Sequence, residues 1–181
     1  MKQSRIIKIS KYLSYHLRHH PEKLGLTLDV GGWVSVDELL KSAKKHGFLI
    51  FYFELKEVVA KNDKQRFSFD ETGSKIRANQ GHSVAIDLQL ESVPPPDILY
   101  HGTGEGSVES ILSQGLLKMN RHHVHLSVEM QTARKVGERH GRPVIFAIDA
   151  IEMYGDGYQF YCSDNGVWLV EQVPPKYLHK M

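Results

Sequence analysis

The chain has 181 residues, 41% hydrophobic and 24% charged, and its 23 basic and 21 acidic side chains give a formal net charge of +2. That length and composition support one sizeable core or two small ones and exclude a disordered tail. The single cysteine, Cys162, excludes an intrachain disulfide scaffold and a cysteine-cluster zinc site. The opening MKQSRIIKISKYLSYHLRHH is basic and lacks an uninterrupted apolar core, so no signal peptide is expected. No stretch nears the roughly 18 apolar residues of a membrane span. A cytoplasmic chain with no membrane partner is the expectation.

Apolar spacing at Ile9, Tyr12, Leu13, His16 and Leu17 predicts a first helix, which Pro21 and Gly25 stop. Ser35-x-x-Glu38 fits a capping box, and Val36, Leu39, Leu40 and Ala43 supply the stripe of a second helix ending at Gly47. Leu55, Val58 and Val59 suggest a short third helix. Arg66–Phe69 alternates like a strand, Asp70–Gly73 reads as a turn, and Lys75–Ala78 resumes as a strand. Three helices followed by a hairpin is the order of a winged-helix module. The best boundary is Val93-Pro94-Pro95-Pro96-Asp97, because consecutive prolines cannot donate ladder hydrogen bonds and favour an extended connector. It separates residues 1–93, with 15 basic and 11 acidic side chains, from residues 94–181, with 8 and 10. The near-neutral total averages a mildly basic half and a mildly acidic one.

Beyond the prolines, Ile98–His101 predicts a strand that ends at a Gly102-Thr103-Gly104 turn. Val108, Ile111 and Leu112 share one face of a short helix closed by Gly115. His123–Ser127 alternates, and Ala133, Val136 and Gly137 belong to a helix running to about His140. Pro143–Ile148 is a buried-strand run. Tyr158–Cys162 and Val167–Val170 flank Asp164-Asn165-Gly166, a strong hairpin signal. This half reads as a strand-rich α+β domain without the β-α-β rhythm of a doubly wound sheet.

Several clusters can carry chemistry. Arg18-His19-His20-Pro21 sits where the first helix ends, where cations are favoured by the helix dipole. It equally suits an anion site, since arginine presents a planar fork to phosphate. Alternation puts Lys75, Arg77 and Asn79 on one strand face, and Arg77 can complete a clamp with Arg18. Gln80-Gly81-His82-Ser83 forms the turn out of it. His101-Gly102-Thr103-Gly104 can present backbone amides and a histidine to a ligand, but neither G-x-G-x-x-G nor G-x-x-x-x-G-K-[ST] is present. His123 and His125 share a strand side, yet spacing locates no third ligand, so no metal is expected. Arg139, before Gly141, is the candidate for a third anion contact, and Cys162 reads as core.

Taken together these motifs resemble the RNA 2'-phosphotransferases of the KptA type, whose eukaryotic members remove the splice-junction 2'-phosphate from tRNA. The resemblance rests on Leu13-Ser14-Tyr15-x-Leu17-Arg18-His19-x-Pro21, Gly32-Trp33-Val34, Ile76-Arg77-Ala78-x-Gln80-Gly81-His82-Ser83, Tyr100-His101-Gly102-Thr103, His123–Ser127, Val136-Gly137-x-Arg139-x-Gly141 and Asn165–Leu169. It implies an α+β fold, with an N-terminal winged-helix-like lobe (1–93) that holds the RNA phosphate. A C-terminal ADP-ribosyltransferase-like lobe (94–181) would bind NAD+. The implied catalytic set is Arg18, His19, Arg77 and Arg139, with Arg142 as the fallback for the last. The implied NAD+ contacts are His101, on a ribose, with Gly102, Thr103, His125 and Ser127. His125 stands where many relatives carry tyrosine. Val167 takes the place of the glutamate used by other ADP-ribosyltransferases, which argues against ordinary protein ADP-ribosylation.

The implied substrates are NAD+, consumed as co-substrate, and RNA bearing an internal 2'-phosphate, tRNA among them, with no obligate protein partner. The implied reaction begins with attack of the 2'-phosphate on the nicotinamide ribose, expelling nicotinamide. The ribose 2''-hydroxyl then attacks the phosphorus, releasing 2'-hydroxyl RNA and ADP-ribose 1'',2''-cyclic phosphate. Positioning dominates the first step, and the arginines meet developing phosphoryl charge in the second. The rival readings are an NAD+-dependent ADP-ribosyltransferase acting on nucleic-acid ends or protein, and a non-catalytic winged-helix regulator.

Overall fold

The apolar spacing at the start of the chain becomes α1 (Gln3–Arg18) in the computed structural model, which describes residues 1–61 and 65–181. Ile6, Ile9, Leu13 and Leu17 lie on its buried face. Beyond Arg18 the backbone leaves helical geometry, and Pro21 opens a single 3-10 turn closed by Gly25 at φ +64°. The chain divides into two units, Met1–Gln89 and Leu90–Met181. Each has its own apolar cluster.

In the first unit α1 is followed by β1 (Val34–Ser35), α2 (Val36–Lys45), α3 (Tyr52–Ala60), β2 (Phe67–Phe69) and β3 (Lys75–Ala78). Ser35 Oγ accepts from Glu38 N–H at 3.4 Å, one half of the expected capping box. The three strands form an antiparallel sheet in the order β1-β3-β2, with Ile76 opposite both Val34 and Phe69. Ile76 and Ala78 face the core as alternation requires. Asn79 departs from its expected place on the solvated face. It lies past the strand end, where the period no longer holds, and is buried with Nδ2 donating to the Gln65 carbonyl at 2.7 Å.

Glu54 ties α3 to α1. Its carboxylate accepts from Arg5 Nε and Nη2, each at 2.9 Å, and from Phe51 N–H at 3.1 Å. The Arg5 guanidinium holds this carboxyl below its ordinary value of 4.5. A depressed folded pKa contributes stability above the unfolded value, and that stability is lost as pH falls through the folded one. Below about pH 4.3 the wild-type chain is expected to lose stability more steeply than Glu54→Gln. Parallel acid-denaturation curves for the two proteins would contradict this.

The second unit runs β4 (Ile98–Gly104), α4 (Val108–Gln114), β5 (Leu116–Leu117), β6 (Val124–Leu126), α5 (Met130–Gly137), β7 (Pro143–Asp149), α6 (Ala150–Gly155), β8 (Phe160–Cys162), β9 (Trp168–Val170), β10 (Gln172–Val173) and β11 (Leu178–Lys180). Its sheets have the orders β11-β7-β4, β6-β9-β8 and β10-β5. The Pro94–Pro96 run lies inside this unit, just after Ser92 bridges Tyr161. The hairpin signal at Asp164–Gly166 joins β8 to β9, closed by Gly166 N–H on the Ser163 carbonyl at 2.8 Å.

Two expectations change here. Gly102-Thr103-Gly104 is strand and not turn: Gly102 pairs with Ile145 and Gly104 with Pro143. Glycine is needed there because α5 and the 3-10 turn after it come down on the strand. A Cβ on Gly102 would stand 1.7 Å from the Ala133 carbonyl oxygen, and one on Gly104 2.2 Å from that of His140. Leu112 is exposed, while Val108 and Ile111 alone carry the buried face of α4. Helices thus accompany several small sheets, and every strand pair among the described residues is antiparallel. No helix among the described residues is long and apolar enough to cross a membrane.

Candidate active site

In the first unit the chain returns to the end of α1. Gly81, at φ +86°, turns the backbone after β3 so that Ser83 N–H donates to the Arg18 carbonyl at 2.9 Å. Ser83 Oγ then hydrogen-bonds His19 Nδ1 at 2.9 Å. The Arg18 guanidinium lies 6.0 Å from the centre of the Phe67 ring, on β2. Arg77 stands over Trp33 at 4.6 Å and donates to the Gly31 carbonyl at 3.4 Å. The Gly31-Gly32 arch that makes this possible has consecutive φ values of +80° and +77°. It also packs on the buried His82, whose Nε2 would be 3.3 Å from a Cβ on Gly32. Arg18, His19 and Arg77 are therefore linked through Ser83, His82 and the glycine arch.

In the second unit β4 meets β6. Tyr100 and Ser127 exchange backbone hydrogen bonds at 2.8 Å, and His101 Nδ1 donates to the His125 carbonyl at 3.0 Å. A carbonyl only accepts, so the partner assigns the His101 proton to Nδ1. Burial lowers the His101 pKa, the His125 carbonyl opposes that shift, and the nearby His140 and Arg121 add to it. The ring is neutral near pH 7, with Nε2 as a hydrogen-bond acceptor. Arg121 Nη1 donates to His125 Nδ1 at 3.2 Å, which assigns the His125 proton to Nε2. Thr103 is buried on β4, and Gly102 gives its side-chain space to α5.

Arg139 lies on the exposed 3-10 turn Glu138–His140, which packs beside Gly104, and has no ion pair among the described residues. Arg142 is 3.8 Å from Glu105. Val167 offers no carboxylate, and its N–H donates to Ser163 Oγ at 3.2 Å. Burial pushes the Cys162 thiol pKa up, which disfavours the thiolate needed of a nucleophile.

The sequence model for the "RNA 2'-phosphotransferase, Tpt1 / KptA family" matches residues 4–172. The chain belongs to this family. It is 66% identical over 181 residues to the "Probable RNA 2'-phosphotransferase" of Trichormus variabilis and 62% identical over 181 to that of Nostoc punctiforme, each comparison covering 100% of both chains. With the like-named protein of Streptomyces coelicolor the identity is 53% over 178 residues, 98% of this chain and 97% of the other.

For a member of the RNA 2'-phosphotransferase family, the first-unit cluster offers guanidinium groups and an imidazole suited to an anion. Three neighbours escaped the sequence reading as site residues: Ser83, Trp33 and Arg121. Ser83 and Trp33 stand inside quoted motifs, but no spacing rule brings residue 83 to residue 19. The Ser83 hydroxyl fixes the orientation of the His19 imidazole. Ser83→Ala is expected to lower kcat about tenfold or more by freeing the imidazole, with Ser83→Thr largely retaining it. Steady-state kinetics decide this, and an unchanged kcat in Ser83→Ala would contradict it.

Proposed function

We propose that the chain is an NAD+-dependent RNA 2'-phosphotransferase. It moves an internal RNA 2'-phosphate to NAD+ through an ADP-ribosylated phosphate, and releases nicotinamide, 2'-hydroxyl RNA and ADP-ribose 1'',2''-cyclic phosphate. The observation that carries this reading is the closure of the Ser83 turn onto Arg18 and His19, on the same arch network as Arg77. Arg18 and Arg77 bind the 2'-phosphate and offset charge developing on its oxygens. His19, held by Ser83, orients a ribose hydroxyl. The first unit's order α-β-α-α-β-β, with β3 central in its sheet, supports a winged-helix-like lobe. The antiparallel, strand-rich second unit supports an ADP-ribosyltransferase-like one.

NAD+ supplies an electrophilic ribose carbon and a nicotinamide leaving group. The second-unit residues fit it: a neutral His101 with an acceptor Nε2 matches a ribose hydroxyl, which donates. Thr103 and His125 lie on β4 and β6 around it, Ser127 bridges Tyr100 just past β6, and the Gly102 backbone runs between His101 and Thr103. Arg139, by its place in Val136-Gly137-x-Arg139, takes the remaining guanidinium role.

The experiment is nicotinamide release from NAD+ with three RNAs: one carrying an internal 2'-phosphate, one with only 2'-hydroxyls, and one with a 3'-phosphate. Release with the first alone, and a raised KM for NAD+ in His101→Ala, are expected. Stable ADP-ribose adducts on RNA ends or protein, or RNA dephosphorylation without NAD+, would overturn the reading.

A further inference from the structure

Three consecutive aromatic residues, Phe51-Tyr52-Phe53, open α3, and two of them have no part in the core. Phe51 is 51% exposed and Phe53 64%, with Leu49 beside them at 46%. The two phenyl rings lie 5.7 Å apart and only 12° from parallel. Tyr52 serves differently, since its hydroxyl donates to the Gly73 carbonyl at 3.4 Å and anchors α3 to the β2–β3 turn. The start of the helix is also held by Arg5, which grips Glu54 and donates to the Leu49 carbonyl at 2.5 Å. The exposed rings are therefore presented from a preorganised backbone.

The carboxylates on α3 itself are paired with cations. Glu54 is matched by Arg5, and Glu57 by the Met1 amino group at 3.0 Å and by Lys61 at 2.7 Å. Lys56 lies 5.3 Å from the centre of the Tyr52 ring, on the same helix. Aromatic faces beside a cation, with the carboxylates of the same helix paired, suit a single-stranded nucleic acid, whose bases stack while its phosphates meet the lysine. Two partly exposed phenyl rings and a leucine offer at most a few hundred Å². A stable protein interface buries roughly 800 Å² per partner.

We propose that Phe51 and Phe53 form a stacking platform for unpaired bases of the RNA, several nucleotides away from the one that carries the 2'-phosphate. Arg5, which fixes the platform, precedes Arg18 by about 20 Å along α1. The proposal rests on the RNA reading above, but its test needs neither NAD+ nor turnover.

The test measures anisotropy of a labelled, unstructured single-stranded RNA of about 12 nucleotides, without a 2'-phosphate. The full chain is compared with Phe51→Ser/Phe53→Ser and Phe51→Trp/Phe53→Trp, with melting and light scattering run alongside. The serine pair is expected to bind about tenfold more weakly at unchanged melting temperature, and the tryptophan pair to bind at least as well as wild type. Three results would overturn the proposal: no measurable binding by the wild type, equal binding by the serine pair, or a wild-type dimer that the serine pair dissolves. Loss of the reaction with this binding pattern intact would defeat the phosphotransfer reading and leave the platform standing.

Discussion

Arg18→Ala is expected to lower overall 2'-phosphate transfer by about 10²–10³-fold, the cost of removing one donor aimed at developing charge. On the proposed two-step mechanism, the steps should not suffer equally. In the first, the phosphate is already anionic and needs positioning, which Arg77 on Trp33 can still supply. In the second, phosphorus gains a fifth ligand and charge grows on its oxygens, so a missing guanidinium costs most there. Single-turnover assays on labelled RNA should therefore show the ADP-ribosylated RNA accumulating with Arg18→Ala. Arg18→Lys should recover only part of the rate, because an ammonium cannot reproduce the planar fork. Equal loss in both steps, with no trapped species, would contradict this assignment.

The largest effect on stability is expected at Gly102. An alanine methyl would need the space where the Ala133 carbonyl oxygen stands, 1.7 Å from the ideal Cβ. The atoms that the methyl strikes are all backbone, so relief requires α5 to move off β4. Gly102→Ala is expected to cost about 3 kcal/mol or more. Gly104→Ala, with its Cβ 2.2 Å from the His140 carbonyl oxygen, should follow closely. Gly106→Ala is the control, since nothing lies within 4 Å of its Cβ, and it should stay within about 0.5 kcal/mol of wild type. Urea denaturation separates these outcomes. Wild-type stability in Gly102→Ala would show that the strand–helix contact is not as close as described.

The glycines of β4 also show where sequence reading stops. Local rules read Gly-Thr-Gly as a turn, because glycine's usual reason is a backbone angle. Here the reason is close approach by α5, a tertiary fact that no local pattern carries. Helices α1 and α2 were legible because their apolar period and stop signals lie within a few residues, and α3 from its apolar spacing alone. Alternation along β3 placed Ile76, Arg77 and Ala78 and failed at Asn79, one residue past the strand. In the candidate site, residue types and motifs pointed to Arg18, His19 and Arg77. The Ser83–His19 bond spans 64 residues of sequence and follows only from the path of the chain around Gly81. The His101 proton assignment likewise depends on β4 meeting β6.

The central claim is that the RNA phosphate leaves on the ribose of NAD+. Its most direct measurement follows the phosphorus: RNA labelled only in an internal 2'-phosphate is incubated with the protein and NAD+, and the labelled product is identified. The account predicts that the label appears in ADP-ribose 1'',2''-cyclic phosphate, with one nicotinamide and one 2'-hydroxyl RNA formed per labelled product. Label released as inorganic phosphate, or retained in a stable ADP-ribosylated RNA by the wild-type chain, would contradict it.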